Sequence, residues 1–361
     1  MSESQTDKKK MMPQTEQTKI EESPQYLRMS LAAAMTLGLK PGRFYRNARL
    51  YCINLLLTYR AGCAARCAYC GLSNKRDGQY DNKSFIRVTW PTHSLSQIIE
   101  RISDRQDRVK RICISQITHK RSIQDTKTIC ARLRSSFDIP VSLLISPTIL
   151  SKGDLLDFKD AGADKIGVAI DLATPELFDK YRGKGVGGPH NWETYRQCLS
   201  DAIAIFGKRN AGSHFVTGMG ETEKEMVEAI QKIQDSGGWT HLFSFFPEAD
   251  SQMKAHPMPE MDQYRRIQLA RYLMDEGISR AEKMAFDASG RILDFGLPPG
   301  ELGHIVNTGE PFRTSGCEGY DGQVACNRPY ANSRPGPDIR NYPFPPNKED
   351  IHRIRQQMGM A

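Results

Sequence analysis

The run Gly62-Cys63-Ala64-Ala65-Arg66-Cys67-Ala68-Tyr69-Cys70 places three thiols at i, i+4 and i+7. Thiolates are soft ligands suited to iron–sulfur clusters. A loop with this spacing can wrap one cubane and ligate three of its irons, and the small residues Gly62, Ala64, Ala65 and Ala68 let the backbone close in. The fourth iron then has no protein ligand. An open position is what chemistry needs; a structural site would be closed. The competing readings are a zinc knuckle or three free thiols. Zinc sites normally take four ligands, often as paired C-x2-C units, and no matched second pair follows here. The expectation is one oxygen-sensitive [4Fe-4S] cluster on Cys63, Cys67 and Cys70.

The chain has nine cysteines, an odd number, and no secretory signal, so a disulfide framework is not expected. Cys113 sits within a strand-like run, Ile112-Cys113-Ile114-Ser115, and Cys317 and Cys326 lie in a loop-rich C-terminal stretch. Folded over the mouth of a barrel, Cys113, Cys317 and Cys326 form a candidate ligand set for a second cluster that could donate sulfur. Simple burial as small hydrophobes is the alternative. Cys52 is a reserve ligand near the wrong end of its strand, and Cys130 and Cys198 fall in helical stretches as packing residues.

The elements that must position these thiols alternate. Strand-sized apolar runs at 50–58, 111–117, 140–145, 165–170, 213–217 and 241–246 are separated by amphipathic stretches at 94–107, 123–137, 175–181, 191–207 and 221–235. Such alternation implies βαβ units and a parallel sheet. A helix at 261–276 and short strand candidates at 283–286 and 304–306 complete a fold expected to be α/β, a TIM-type (βα)8 or partial (βα)6 barrel with an irregular C-terminal segment. Cys63 then lies just past the first barrel strand, at the end where such barrels carry their chemistry. The expected organisation is a disordered tail at 1–24 and an N-terminal helical extension at 25–49, with Leu27, Leu31 and Met35 on one face. The barrel follows at 50–310 and a cysteine-containing closure at 311–361.

C-x3-C-x2-C with an aromatic before the last cysteine, after the first strand of a βα barrel, resembles the radical S-adenosylmethionine (SAM) superfamily. The resemblance implies that the open iron binds the amino and carboxylate groups of SAM, and that the resulting 5′-deoxyadenosyl radical abstracts hydrogen from an unactivated carbon. Tyr69 then lies against the cofactor. Asp171, in Ile170-Asp171-Leu172-Ala173-Thr174-Pro175, stands where similar enzymes hold the SAM ribose; Thr174 and Pro175 read as helix N-cap and N1. Gly218 and Gly220, in Thr217-Gly218-Met219-Gly220-Glu221-Thr222, resemble the segment beside adenine in biotin-synthase-like members. Ile117-Thr118-His119 stands where relatives contact the SAM methionine.

Within the superfamily, Gly71-Leu72-Ser73, Ser84–Val88, Trp90-Pro91, Leu242–Glu248 and Ala325–Pro329 resemble the biotin-synthase-like branch, and most narrowly the two-component lipoyl synthases. Departures are clear. The first loop is not C-P-E-D-C, the run at 141–145 has no cysteine, and Ser213-His214 replaces another, so biotin formation is not expected. Residues 1–50 lack the N-terminal cysteine triad of ordinary lipoyl synthase. The resemblance implies sulfur insertion into an octanoyl chain on a lipoyl carrier protein, with a second radical SAM synthase as partner and ferredoxin or flavodoxin as reductant. The alternatives are a mutase or cofactor-maturation enzyme of the same branch, or an iron–sulfur electron carrier.

Bulk properties narrow the classes. A net charge of +8 spread without an aromatic-interleaved basic stripe argues against nucleic acid and suits docking to an acidic carrier. No apolar run approaches membrane-span length, and Lys8-Lys9-Lys10 is followed by no apolar signal region, so a cytoplasmic location is expected.

Overall fold

The structure, a computed structural model, describes residues 21–83, 85–331 and 338–360. Its centre is an eight-stranded sheet in the order β3-β1-β2-β4-β5-β6-β7-β8. The strands are β1 (Tyr26–Met29), β2 (Cys52–Leu57), β3 (Thr92–Ser94), β4 (Arg111–Ser115), β5 (Val141–Ile145), β6 (Ala163–Asp171), β7 (Ala211–Thr217) and β8 (Trp239–Ser244). β2 and β4 through β8 run parallel, while β1 pairs antiparallel with β2 and β3. This is a partial (βα)6 barrel: the sheet does not close, and β3 and β8 are its edges.

Helices cover the outside: α1 (Leu31–Thr36), α2 (Leu95–Ser103), α3 (Ser122–Ser136), α4 (Lys152–Asp160), α5 (Pro175–Tyr181), α6 (Trp192–Phe206), α7 (Glu223–Asp235), α8 (Met261–Asp275), α9 (Pro299–Thr308) and α10 (Lys348–Gln357). Side chains start several of them. Thr174 caps α5 with Pro175 in its first turn, and reciprocal Ser151/Asp154 and Thr222/Glu225 capping boxes open α4 and α7. Among the described residues no helix is long and apolar enough to cross a membrane.

Two sequence expectations are corrected. The 26–39 stretch is a strand followed by a short helix, because Leu27 and Met29 are buried in the antiparallel ladder between β2 and β3. The apolar triplet at 304–306 belongs to α9, whose Ile305 and Val306 face the core; β9 (Ala285–Phe286) instead pairs with β10 (Ile292–Asp294). Of the expected tail, residues 1–20 lie outside the described residues. Ser23 is fully buried, and its N–H donates to the Thr58 carbonyl at 2.9 Å.

The barrel interior is more polar than the Val/Ile/Leu filling usual for this architecture. Leu56, Ser115, Leu144, Ala169, Val216 and Phe243 line its upper cavity. Strand alternation puts Asn54, Cys113, Ser142, Gly167, His214 and His241 on the same inner face, two residues earlier. Gly212 makes this possible, since a Cβ there would stand 2.2 Å from the Trp239 carbonyl oxygen and 2.3 Å from its indole. Residues 312–331 fill the seam between β2 and β8. Ser315 Oγ accepts from the Leu242 N–H on β8 at 3.1 Å, and Asn54 on β2 donates to Cys326 Sγ at 3.6 Å.

Candidate active site

Cys63, Cys67 and Cys70 share one cavity of about 210 Å³ at the C-terminal ends of the parallel strands, the upper mouth. Their loop is held by backbone bonds to four other segments. Ala64 N–H donates to Thr118 O at 2.8 Å, Ala68 N–H to Tyr181 O at 2.8 Å, Asn74 N–H to Cys63 O at 2.8 Å, and Gln252 N–H to Ala68 O at 2.9 Å. Gly62 enters the loop at φ 68°. Buried cations set the frame beneath. Arg28, fully buried, donates to the carbonyls of Trp90, Tyr80 and Lys83, and Lys83 Nζ donates to Ser73 O and Arg76 O at 3.0 and 3.1 Å.

Burial raises the pKa of all three thiols. Desolvation penalises a bare thiolate, and a bound cationic iron supplies the missing countercharge. Among the described residues no three His, Cys, Asp or Glu side chains converge on a single metal ion. A cubane presents its irons at separate corners and asks for wider spacing than a single ion. The donor set of three soft ligands on one loop, all facing one cavity, fits a [4Fe-4S] cluster.

Tyr69 and Asp171 also line this cavity, and they touch: Tyr69 OH donates to Asp171 Oδ2 at 2.6 Å. Asp171 has φ 67°, rare for a residue with a side chain, which turns its carboxylate back toward the cysteine loop. Sequence reasoning missed the third member, Arg182. It lies at the C-terminus of α5 and donates to Asp171 Oδ2 at 3.0 Å, to the carbonyls of Ala169 and Ile170, and to Tyr195 OH at 3.3 Å. Desolvation raises the Cys67 pKa, and the nearby Arg182 guanidinium opposes it. The only sequence signal for Arg182 is a lone arginine one short helix after Asp171.

Ile117 and Thr118 line the cavity, whereas His119 stacks on Tyr59 with ring centres 3.8 Å apart. Gly218 and Gly220 are absent from the lining. Gly218 is dictated by packing, since a Cβ there would meet Pro259 at 2.5 Å, and its N–H serves Glu221 Oε1 at 2.7 Å. His190 and His214 do line the cavity; burial drives both pKa values down, to about 2 and about 3, so both rings are neutral.

The second cysteine set gathers at the opposite, lower end of the barrel. Cys52, Cys326, Cys113 and Cys317 pack together around Ala325. The expectation that Cys52 stands apart is corrected, because the C-terminal segment folds into the seam and lower end instead of over the upper mouth. Asn54 Nδ2 donates to both Cys52 Sγ and Cys326 Sγ at 3.6 Å, and Cys317 Sγ lies 3.5 Å from His241 Nε2. Cys317 and Cys326 are joined at the base of a hairpin, with Cys326 N–H donating to Cys317 O at 3.1 Å. The hydrogen bond from Cys52, then Arg328 and Asn54, holds the Cys326 thiol below its ordinary pKa against burial; desolvation pushes Cys52 well up. Cys130 and Cys198 sit in α3 and α6, away from both sets.

Comparison with known proteins gives a family. A model of the radical SAM superfamily matches residues 58–233. No curated protein matches the chain. Among solved structures, methylornithine synthase (PylB) is 13% identical with a TM-score of 0.47, covering 66% of this chain and 67% of that one. The FeFe-hydrogenase maturase HydG from Carboxydothermus hydrogenoformans is 13% identical with a TM-score of 0.47, covering 68% of this chain. The radical SAM methyltransferase TsrM from Kitasatospora setae is 14% identical with a TM-score of 0.41, covering 78% of this chain. The aligned part spans 56% of the HydG chain and 57% of the TsrM chain. Residues 58–233 are thus a radical SAM superfamily domain.

Proposed function

We propose that this enzyme inserts sulfur into an octanoyl chain carried by a lipoyl carrier protein, as one component of a two-protein lipoyl synthase. The observation that carries the reading is the four-thiol set Cys52, Cys113, Cys317 and Cys326 inside the barrel below the radical site. Cys63, Cys67 and Cys70 would hold the radical-generating cluster, which with SAM supplies one-electron cleavage and hydrogen abstraction when bound. Arg182 and Tyr69 orient Asp171 on the cavity wall. Leu56, Ile117, Leu144, Ile145, Val216, Phe243 and Phe245 give that wall an apolar surface suited to an alkyl chain and to excluding water.

Two contacts support a route from cavity to thiols. His214 lines the cavity and packs 5.5 Å from the His241 ring, whose Nε2 faces Cys317. Arg328, two residues from Cys326, lies 3.8 Å over the Phe243 ring, another cavity residue. The second synthase and a ferredoxin or flavodoxin reductant belong to the same reading. The test is anaerobic reconstitution with SAM, a reductant and octanoylated carrier, with and without a partner synthase. Sulfur-containing product supports the proposal. SAM cleavage without any such product, together with iron for a single cluster, replaces it with a mutase or cofactor-maturation enzyme.

A further inference from the structure

One part of the upper cavity's wall is a turn that local sequence preference would not build. Phe85 and Val88 form an antiparallel bridge, with Phe85 N–H donating to Val88 O at 3.0 Å and Val88 N–H to Phe85 O at 3.4 Å. The two residues between them, Ile86 and Arg87, both lie at positive φ, 51° and 67°. Two central residues at positive φ mark a type I′ hairpin turn, which takes Asn, Asp or Gly at those places. A β-branched residue there is an outlier, because its Cβ crowds the following carbonyl oxygen. Strain of this kind persists only where the surroundings over-determine it, and it clusters at segments that contact ligands.

The surroundings do fix this turn. Glu248 Oε1 accepts from the Arg87 N–H at 2.6 Å. The Arg87 guanidinium lies over the Phe246 ring, 4.2 Å from its centre, and reaches Met258 Sδ at 3.4 Å. Trp90 Nε1 donates to Phe85 O at 2.6 Å, and the Phe85 and Trp90 rings are 5.4 Å apart. Phe85 and Val88 pack against the hydrophobic core. Among the described residues Ile86 is not packed against that core; it is half-buried and lines the upper cavity. Arg87 therefore holds the turn, whereas the side chain of Ile86, the residue least suited to its backbone, is spent on the cavity.

We propose that Ile86 is a substrate-binding residue, which contacts the alkyl chain of the substrate in the upper cavity, and that the turn is kept strained to hold it there. The identity of that chain rests on the octanoyl reading. An aliphatic side chain offers dispersion and exclusion of water and nothing else, so the group it meets is apolar. Branching at Cβ restricts χ1, so little rotamer freedom is lost when a ligand packs on it.

The test compares Ile86→Asn and Ile86→Val in the full-length enzyme, reconstituted anaerobically. Asn tolerates positive φ and removes the apolar contact, whereas Val keeps both the branching and most of the apolar surface. Ile86→Asn should melt about 2–4 °C above wild type, with unchanged iron content. It should also raise KM for octanoylated carrier about ten-fold, with a smaller fall in kcat, read from octanoyl-dependent formation of 5′-deoxyadenosine. Ile86→Val should keep the wild-type melting midpoint and raise KM less than about three-fold. A turn that serves folding alone would move the midpoint and leave KM where it is. A midpoint at or below that of wild type, or failure of Ile86→Asn to fold, overturns the strained turn; an unchanged KM overturns the substrate contact. Wild-type enzyme that forms no octanoyl-dependent 5′-deoxyadenosine ends the octanoyl reading and this inference with it, whereas an active wild type with an unaffected Ile86→Asn ends this inference alone.

Discussion

The two ends of the barrel hold thiols in opposite ways. At the upper mouth, three cysteines come from one eight-residue loop, and the fold's task is to pin that loop through Thr118, Tyr181 and Gln252. At the lower end, four cysteines come from β2, β4 and two points of the C-terminal segment, and only the finished tertiary structure brings them together. A local set reads directly from spacing. A dispersed set depends on which strand faces are inward and where the last segment runs, and spacing encodes neither.

Removing one set at a time tests that contrast most strongly. Cys63/Cys67/Cys70→Ala should abolish SAM cleavage entirely while keeping about half of the bound iron, one cubane of two, measured by anaerobic iron and sulfide analysis. Complete loss of iron would merge the two sites into one. The mirror experiment is Cys326→Ser, which should lose the other half of the iron and retain SAM cleavage to 5′-deoxyadenosine. If Cys52→Ser behaves the same way, Cys52 is a ligand; unchanged iron content returns it to a packing role.

The upper mouth should also depend on buried charge. Arg182→Met removes the cation beside Asp171, which keeps only the Tyr69 hydroxyl, and takes a donor from the Ala169 and Ile170 carbonyls; breaking a buried pair of this kind costs about 4 kcal/mol, read from urea denaturation. Glu221 gives a pH signature. Burial raises its pKa to about 7, against hydrogen bonds from the Gly218 and Met219 N–H groups. A folded pKa above the unfolded value means stability is fully present below the unfolded pKa and falls as pH rises toward 7. The loss is about 3 kcal/mol across that window, and Glu221→Gln should flatten it in melts compared at pH 5 and pH 8. At the lower end the expected effect is smaller. Gly212→Ala pushes a methyl into Trp239 and should cost about 2 kcal/mol, with the second cluster's iron reduced and the first unchanged.

Much of the architecture was legible because alternation of strand and helix survives in composition: all six parallel strands stand where apolar runs occur. The misreadings have physical causes. Leu27, Leu31 and Met35 share helical spacing, yet antiparallel pairing of Tyr26–Met29 with β2 and β3 overrides local periodicity. His304-Ile305-Val306 is strand-like in type but sits in a helix begun by Pro299. Gly218 does meet a close approach, from Pro259, which no local spacing encodes. Cys52, read as a reserve ligand, lies at the lower end of β2, the end at which the C-terminal segment gathers its thiols. Arg182 could not be found, since its partners lie on β6 and α6 and nothing in its neighbours announces them.

The seam-filling segment has a consequence for how the protein is made. During synthesis the three cysteines of the upper loop have emerged by residue 70, the six parallel strands by residue 244 and the last backbone anchor of the loop by Gln252. The lower thiol set cannot exist until residue 326 has been delivered and threaded back between β2 and β8, a contact separated from Asn54 by 272 positions. Contacts of such range form late and slowly. A nascent or prematurely ended chain can therefore hold the three-cysteine loop while lacking the lower thiol set, so the two ends of the barrel are completed at different stages of synthesis.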